Sequence, residues 1–261
     1  MCKSVVPGKV ETAEVLGNKS LAPGIFDLVI QAPAIAGAAR PGQFLNLYCH
    51  SPKRMLPRPI SICEADSRKG TLSLVYAVTG EGTREFSRLK AGGSLRVMGP
   101  LGNGFSVHSG LKKSILAGGG VGTPPMVELA KNLPGEKIII LGFRSTHYLA
   151  DRLSRYGEVH IATDDGSSGF HGNVVELMDS LKVEGEQLFA CGPRPMLKAL
   201  QKWSAEQAVP AQLSLEERMG CGIGTCVGCV VKIKTNNEQG WHYRKICTDG
   251  PVFPAEEVIF E

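Results

Sequence analysis

Four cysteines near the C-terminus have the spacing of an iron-sulfur ligand set. They form a C-x4-C-x2-C run followed by one distant cysteine, and they are Cys221, Cys226, Cys229 and Cys247. This spacing is typical of plant-type [2Fe-2S] sites. Such a cluster carries net negative charge, so its loop must turn backbone N–H groups toward sulfur, which glycines permit. The cysteine loop, residues 220–229, contains Gly220, Gly222, Gly224 and Gly228. The pattern therefore predicts a [2Fe-2S] cluster.

A structural zinc site is the alternative. Zinc knuckles usually present two separated C-x2-C pairs, whereas one pair is replaced here by a wider C-x4-C. Cys247 has the least characteristic spacing, because residues 235–240 before it are predicted to form a long turn. Cys2, Cys49 and Cys63 have no partner in the sequence and are expected to be inert thiols or small buried hydrophobes. A non-catalytic, zinc-stabilised binding module thus remains open, and an iron-free, colourless protein would identify it.

A glycine-rich segment upstream has the composition of a phosphate-binding turn. It lies between a predicted buried strand and a predicted helix, where backbone N–H groups and the helix dipole can hold a pyrophosphate. Its candidate contacts are Gly118, Gly119, Gly120, Gly122 and Thr123. Loops at the ends of two later strands add Asp164, Cys191, Gly192 and Pro193. Ligands bind at this edge of open α/β sheets, so the three loops predict a dinucleotide site. A glycine-rich turn by itself can also be only a tight connection.

A proline-rich loop ends in Arg58-Pro59-Ile60-Ser61 and enters a predicted strand. The arginine of this segment can bind a phosphate through a bidentate, charge-assisted contact, and the serine can bind a flavin edge. Without further context, a surface arginine at a strand start is the simpler interpretation.

These residues fall into three regions of different pattern. Up to about residue 101, short alternating runs at 26–30, 43–48 and 71–76 predict an antiparallel β-barrel or sandwich. Strands at 114–117, 138–143 and 159–163 then alternate with helices at 125–132 and 150–156, which predicts an α/β doubly wound parallel sheet. The alternation ends after residue 212. We therefore expect an antiparallel β-barrel over 1–105, an α/β domain over 106–212 that carries the predicted dinucleotide site, and a small C-terminal [2Fe-2S] domain over 213–261.

Composition and charge narrow the classes of function. The formal net charge is only +4, and no dense basic or basic-aromatic run is present, so nucleic-acid binding is not indicated. No apolar run approaches the roughly 20 residues of a bilayer span, and no apolar export segment follows the first residues. Clustered cysteines then favour metal ligation in a reducing compartment, which predicts a cytoplasmic protein. The six histidines show no triad or ligand spacing, so no catalytic acid or base is predicted.

The order of these motifs resembles the ferredoxin-NADP reductase superfamily. The motifs are Pro41-Gly42-Gln43-Phe44, Arg58-Pro59-Ile60-Ser61, Gly82-Thr83, Gly118 to Pro124 and Cys191-Gly192-Pro193. With the cysteine loop after the nucleotide region, the whole chain is similar to electron-transfer subunits of NAD-dependent, type B dihydroorotate dehydrogenases. Its most specific stretches are 217–226 and 247–253.

The resemblance implies particular cofactor contacts and a partner. It implies FAD contacts from Arg58, Pro59, Ile60, Ser61, Val75, Tyr76, Ala77, Gly82 and Thr83, and cluster ligation by the four cysteines named above. It also implies an FMN-containing catalytic subunit that interconverts dihydroorotate and orotate in pyrimidine biosynthesis, assembled as two copies of each subunit. A preference for NAD over NADP is inferred from the family alone, since Arg144 and Ser145 could contact a 2′-phosphate.

The chemistry explains why a flavin should stand between nicotinamide and cluster. NADH gives up two electrons as a hydride and an iron-sulfur cluster accepts one, so a carrier that does both is required. The expected order is nicotinamide, FAD, cluster, acceptor, and the protein contributes positioning. The alternative within this class is an NAD(P)H-dependent reductase subunit that feeds ferredoxin, sulfite reductase or glutamate synthase.

Overall fold

Alternating apolar side chains fold the first part of the chain into a seven-stranded antiparallel sheet, here called the barrel. The structure is a computed structural model that describes residues 8–260, so Cys2 lies outside the described residues. The strands are β1 (Lys9–Ala22), β2 (Ile25–Gln31), β3 (Phe44–Tyr48), β4 (Arg58–Ser61), β5 (Glu64–Asp66), β6 (Thr71–Ala77) and β7 (Ser94–Leu101). They are hydrogen-bonded in the order β4-β3-β7-β1-β2-β6-β5 and wrap around one apolar core.

Two short helices lie between barrel strands, α1 (Pro33–Ala36) and α2 (Glu81–Phe86). Phe86 at the end of α2 is fully buried in the barrel core. The predicted strands at 26–30, 43–48 and 71–76 correspond to β2, β3 and β6, so the antiparallel flavin-type unit is confirmed.

Continuous apolar runs form a second, parallel sheet. Its parallel strands are β8 (Lys113–Gly119), β9 (Glu136–Phe143), β10 (Glu158–Thr163), β11 (Phe170–His171), β12 (Gln187–Cys191) and β13 (Ala211–Ser214). Their order is β11-β10-β9-β8-β12-β13. From β8 the chain adds β9, β10 and β11 on one side, and then adds β12 and β13 on the other side of β8. The topological switch point therefore lies between β8 and β12.

Helices cover both faces of the parallel sheet, which confirms the doubly wound prediction. They are α3 (Pro124–Asn132), α4 (Ala150–Leu153), α5 (Val174–Ser180) and α6 (Arg194–Glu206). Side chains of α3 and α4 share one core with Leu116, whereas side chains of α5 and α6 share another with Ile115 and Ala117. Successive residues of β8 therefore face opposite helical layers. No helix within residues 8–260 has the length and apolarity that a bilayer span requires.

The C-terminal region adds a hairpin and returns to the parallel sheet. Strands β14 (Val230–Lys234) and β15 (Trp241–Lys245) pair antiparallel across the predicted turn at 235–240. Strand β16 (Val252–Pro254) then pairs antiparallel with β13. Because β13 spans the predicted boundary at 212 and β16 joins the same sheet, the C-terminal unit is bonded to its neighbour. The three-domain division stays a proposal.

Buried polar contacts fasten the barrel to the parallel sheet. Arg152 of α4 donates to Asp27 Oδ2 of β2 at 2.6 Å and to Ser73 Oγ of β6 at 3.1 Å. Ser73 Oγ in turn donates to Asp27 Oδ1 at 2.6 Å, and Asp27 is only 6% exposed. A second contact comes from α3, where Glu128 Oε2 accepts the Ala65 N–H at 2.8 Å. A buried carboxylate needs such partners, so the network fixes how the two units meet.

Replacing Arg152 by methionine should destabilise the protein by about 3 kcal/mol, because the Asp27 carboxylate stays buried without its cation. Urea unfolding at neutral pH measures this change. Arg155→Met is the matched control, since Arg155 is exposed on the same segment and should change the free energy of unfolding by less than about 0.5 kcal/mol. Equal effects of the two substitutions would contradict the assignment.

Candidate functional site

The cysteine loop brings sulfur atoms and backbone N–H groups together. The Sγ of Cys221 accepts N–H groups from Cys226 at 3.3 Å and from Ile223 at 3.5 Å. Burial by itself would raise the pKa of the Cys221 thiol, but these N–H groups lower that pKa to about 7. The loop therefore presents donors to a thiolate, as a negatively charged cluster requires.

The four sulfurs are arranged as two pairs. Cys229 Sγ lies 3.4 Å from Cys247 Sγ, and the Cys226 side chain lies close enough to Cys221 to lower the pKa of the Cys221 thiol. Burial, then the contact with Cys229, raises the pKa of Cys247 to about 12, and the Gly224 N–H partly offsets that rise. Within residues 8–260, no three His, Cys, Asp or Glu side chains converge as ligands of a single ion. Two thiol pairs fit a two-iron group, with two thiolates per iron, better than one zinc ion.

Two asparagines of the barrel hold this site in place. Asn46 of β3 is fully buried, and its Nδ2 donates to the Cys221 carbonyl at 2.9 Å. A Cβ on Gly222, whose φ is +68°, would lie 2.5 Å from the Asn46 amide, so only glycine fits there. Asn103, just after β7, donates to the carbonyls of Thr248 and Asp249 at 2.8 and 3.1 Å. Both halves of the cysteine site are thus bonded to the barrel.

A cleft of about 370 Å³ opens between the barrel and the other two units. Its barrel wall consists of Phe44, Arg58, Pro59, Ile60, Ser61, Val75, Tyr76, Ala77, Thr79 and Thr83. This set includes eight of the nine predicted FAD contacts. The ninth, Gly82, lies directly against the Arg58 guanidinium, where a Cβ would collide with it. The guanidinium therefore sits beside the first turn of α2, whose N–H groups lack intrahelical partners, and this arrangement suits a phosphate.

The opposite wall of the cleft was not predicted. It consists of Val121, Ser214, Leu215, Glu216, Glu217, Met219 and Pro251. Although solvent reaches the Glu216 side chain, desolvation by the surrounding protein raises the pKa of its carboxyl group. Motif spacing carried no signal for this wall, because it forms only when the segment after β13 folds over the barrel.

The glycine turn after β8 packs directly on the loop after β12. A Cβ on Gly122 would collide with the Cys191 carbonyl and lie 2.5 Å from the Gly192 nitrogen. A Cβ on Gly119 would lie 2.9 Å from Pro193. The two predicted loops therefore meet at the switch point of the sheet, where dinucleotides bind in this class of fold. Burial raises the pKa of Cys191 to about 12, so its thiol stays neutral.

A buried orphan hydroxyl marks the same turn. Thr123 is fully buried, and its Oγ1 has no hydrogen-bond partner among residues 8–260. Such a group costs free energy unless something bonds to it, so the turn fits a polar ligand.

Asp164 lies apart from the turn. It is exposed after β10, with β9 between it and β8, and its N–H donates to the Phe143 carbonyl at 3.0 Å. The nucleotide contacts therefore remain a prediction.

Comparisons with known proteins agree with this geometry. Residues 216–259 match a family model described as the iron-sulfur cluster binding domain of dihydroorotate dehydrogenase B. A relative from Caldanaerobacter subterraneus subsp. tengcongensis, described as the electron transfer subunit of dihydroorotate dehydrogenase B (NAD(+)), is 40% identical over 249 residues, covering 95% of this chain and 98% of the relative. A relative of the same description from Bacillus caldolyticus is 37% identical over 257 residues, covering 95% and 98%.

Solved structures show the same architecture. An NADH-dependent reduced ferredoxin-NADP oxidoreductase, studied for flavin-based electron bifurcation, matches with a TM-score of 0.85 and 30% identity, covering 95% of this chain and 90% of that chain. A ferredoxin reductase in carbazole 1,9a-dioxygenase matches with a TM-score of 0.66 and 21% identity, covering 78% and 67%. The second likeness concerns the fold alone.

Replacing Cys247 by serine should remove the cluster, because serine cannot replace the soft thiolate beside Cys229. Iron content and visible absorption of the anaerobically purified protein should fall close to zero. Cys49→Ser is the control, since this free thiol lies in the barrel and should leave both measurements unchanged. Full iron content in the Cys247 variant would contradict its assignment as a ligand.

Replacing Gly122 by alanine should slow flavin reduction by NADH on the order of 10²-fold, because the added Cβ displaces the turn from the Cys191 backbone. Stopped-flow bleaching of flavin absorbance measures this rate. Gly110→Ala is the matched control, as no atom lies within 4 Å of the Cβ it adds. Unchanged FAD and iron content in both variants would show that they are folded, and equal rates would exclude the turn from the nucleotide site.

Proposed function

This chain belongs to the family of electron-transfer subunits of dihydroorotate dehydrogenase B (NAD(+)), and we propose that it exchanges electrons between NADH and a separate catalytic subunit. The route uses FAD in the cleft, and a [2Fe-2S] cluster held by Cys221, Cys226, Cys229 and Cys247. The catalytic subunit contains FMN and interconverts dihydroorotate and orotate in pyrimidine biosynthesis. Two copies of each subunit form the complex.

One observation supports this proposal above the others. The segment from Ser214 to Met219 lines the flavin cleft and leads within two residues to Cys221. At the other side of the cleft, Val121 comes from the glycine turn at the sheet's switch point. A single cleft thus touches both the candidate nucleotide turn and the approach to the cysteine site.

The residues of the chain then have distinct tasks. A bound flavin supplies the exchange between two-electron and one-electron chemistry. Arg58 and the start of α2 bind its phosphates, while Ser61 and the β6 residues Val75 to Ala77 contact its ring system. Glycines 118–122, Thr123 and the loop from Cys191 to Pro193 orient the nicotinamide cofactor, and Asp164 contacts its far end. Positioning carries this chemistry, so no acid or base is assigned.

We place the protein in the cytoplasm, because a reducing compartment keeps cysteine thiols free. The seven cysteines among the described residues are all free, and ligand thiols must stay reduced until iron is bound. The three-part division into barrel, parallel sheet and cysteine site follows the three proposed cofactors.

A second candidate function has one specific observation in its favour. The ferredoxin-NADP oxidoreductase structure overlays nearly the whole chain, at 30% identity. The chain would then deliver electrons to ferredoxin instead of a dihydroorotate-oxidising partner.

The chain, co-expressed with an FMN protein that oxidises dihydroorotate, should copurify with it and make NAD⁺ reduction by dihydroorotate possible. NADH formation followed at 340 nm measures the coupled activity. The Cys247→Ser variant is the matched control and should abolish the coupling, while the partner alone still reduces artificial acceptors. Activity with ferredoxin, without any activity or copurification with the dihydroorotate-oxidising protein, would favour the second candidate.

A further inference from the structure

Lys245 places a positive charge directly against the cysteine loop. It ends strand β15, and its Nζ donates to the Gly224 carbonyl at 2.5 Å. Gly224 lies between Cys221 and Cys226 in the loop and has a φ of +82°. The contact therefore fixes the turn between two of the proposed ligands.

The other side of the same glycine faces a sulfur. The Gly224 N–H faces the Cys247 thiol and lowers the pKa of that thiol against the effect of burial. An ammonium, a peptide group and a sulfur thus lie in series. A cation on the carbonyl polarises the peptide and strengthens its N–H as a donor, because hydrogen bonds in series reinforce one another.

Two charged residues near Lys245 in the sequence, Asp249 and Arg244, bear on its role. The Lys245 N–H donates to the Asp249 carboxylate at 2.7 Å. This contact uses the backbone and persists when the side chain changes. The side chain itself is half-buried, so solvent screens its charge less than that of the adjacent, exposed Arg244.

We propose that Lys245 is a positioning residue that raises the reduction potential of the [2Fe-2S] cluster. A cluster that accepts one electron gains one negative charge, and a nearby ammonium stabilises that state. The Gly224 peptide, which Lys245 polarises and whose N–H faces the Cys247 sulfur, acts in the same direction. Lys245 thereby favours the reduced state of the cluster. The inference rests on the proposed cluster site.

The test is a redox titration of the FAD- and cluster-containing chain, monitored by EPR. Lys245→Gln keeps a donor without the charge, Lys245→Met removes both, and Lys245→Arg keeps both. We expect the ratio of reduced to oxidised cluster, at the wild-type midpoint, to fall on the order of tenfold in the glutamine variant, which is about 59 mV for a one-electron couple. This ratio should fall further in the methionine variant and should equal the wild-type ratio in the arginine variant.

Arg244→Gln is the matched control, because it removes one exposed positive charge from the neighbouring position. A glutamine variant with the same midpoint as this control would overturn the inference. So would a shift confined to the methionine variant, which would mean that only the shape of the loop matters. If the methionine variant loses its cluster, the midpoints of the glutamine and arginine variants test the inference. The iron content and EPR signal of the wild-type protein test the proposed cluster site separately.

Discussion

Two asparagine carboxamides hold the cysteine site against the barrel, and the path between the proposed cofactors depends on them. Asn46 bonds to the Cys221 carbonyl, and Asn103 bonds to the carbonyls that follow Cys247. They come from β3 and the end of β7, which are neighbours in the barrel sheet. One patch of barrel surface therefore seats both halves of the site. Because electron transfer slows steeply with distance, the fixed position of this site is what the proposed electron path requires.

The contact between barrel and parallel sheet follows the same logic. The carboxylate of Asp27 is buried with Arg152 as its partner, and Glu128 bonds to the backbone of β5. Such contacts favour one arrangement of the two units, because any shift would leave a buried charge unpaired. In that arrangement, the close backbone contact between Gly122 and Cys191 fixes the position of the nucleotide turn beside the cleft. The nicotinamide side and the cluster side are thus positioned by separate contacts around one cleft.

The sequence predicted what depends on local pattern. Periodicity located strands β2, β3, β6, β8, β9 and β10 and the helix after Gly122. Ligand spacing located the cysteine loop. These features could be predicted because they need only neighbouring residues. The cleft wall from Ser214 to Met219 could not be predicted, since it exists only after three units come together. Asn46 was missed too, although an amide inside the apolar run Phe44-Leu45-Asn46-Leu47 was a visible signal. Lys245 had none, because its partner Gly224 is brought close only by the hairpin.

Asn46 lowers the stability of the folded chain but holds the cysteine loop in one position. Its side chain is fully buried, and its Oδ1 has no hydrogen-bond partner among residues 8–260. A leucine at this point of β3 would avoid the cost of burying an amide oxygen without a hydrogen-bond partner, which is about 1–3 kcal/mol. It would also leave the Cys221 carbonyl without its donor and remove the hydrogen bond that ties β3 to the cysteine loop. A hydrophobic contact tolerates sliding, whereas a hydrogen bond fixes distance and angle. The polar residue in an apolar strand is therefore explained by the need to hold a redox group at one place.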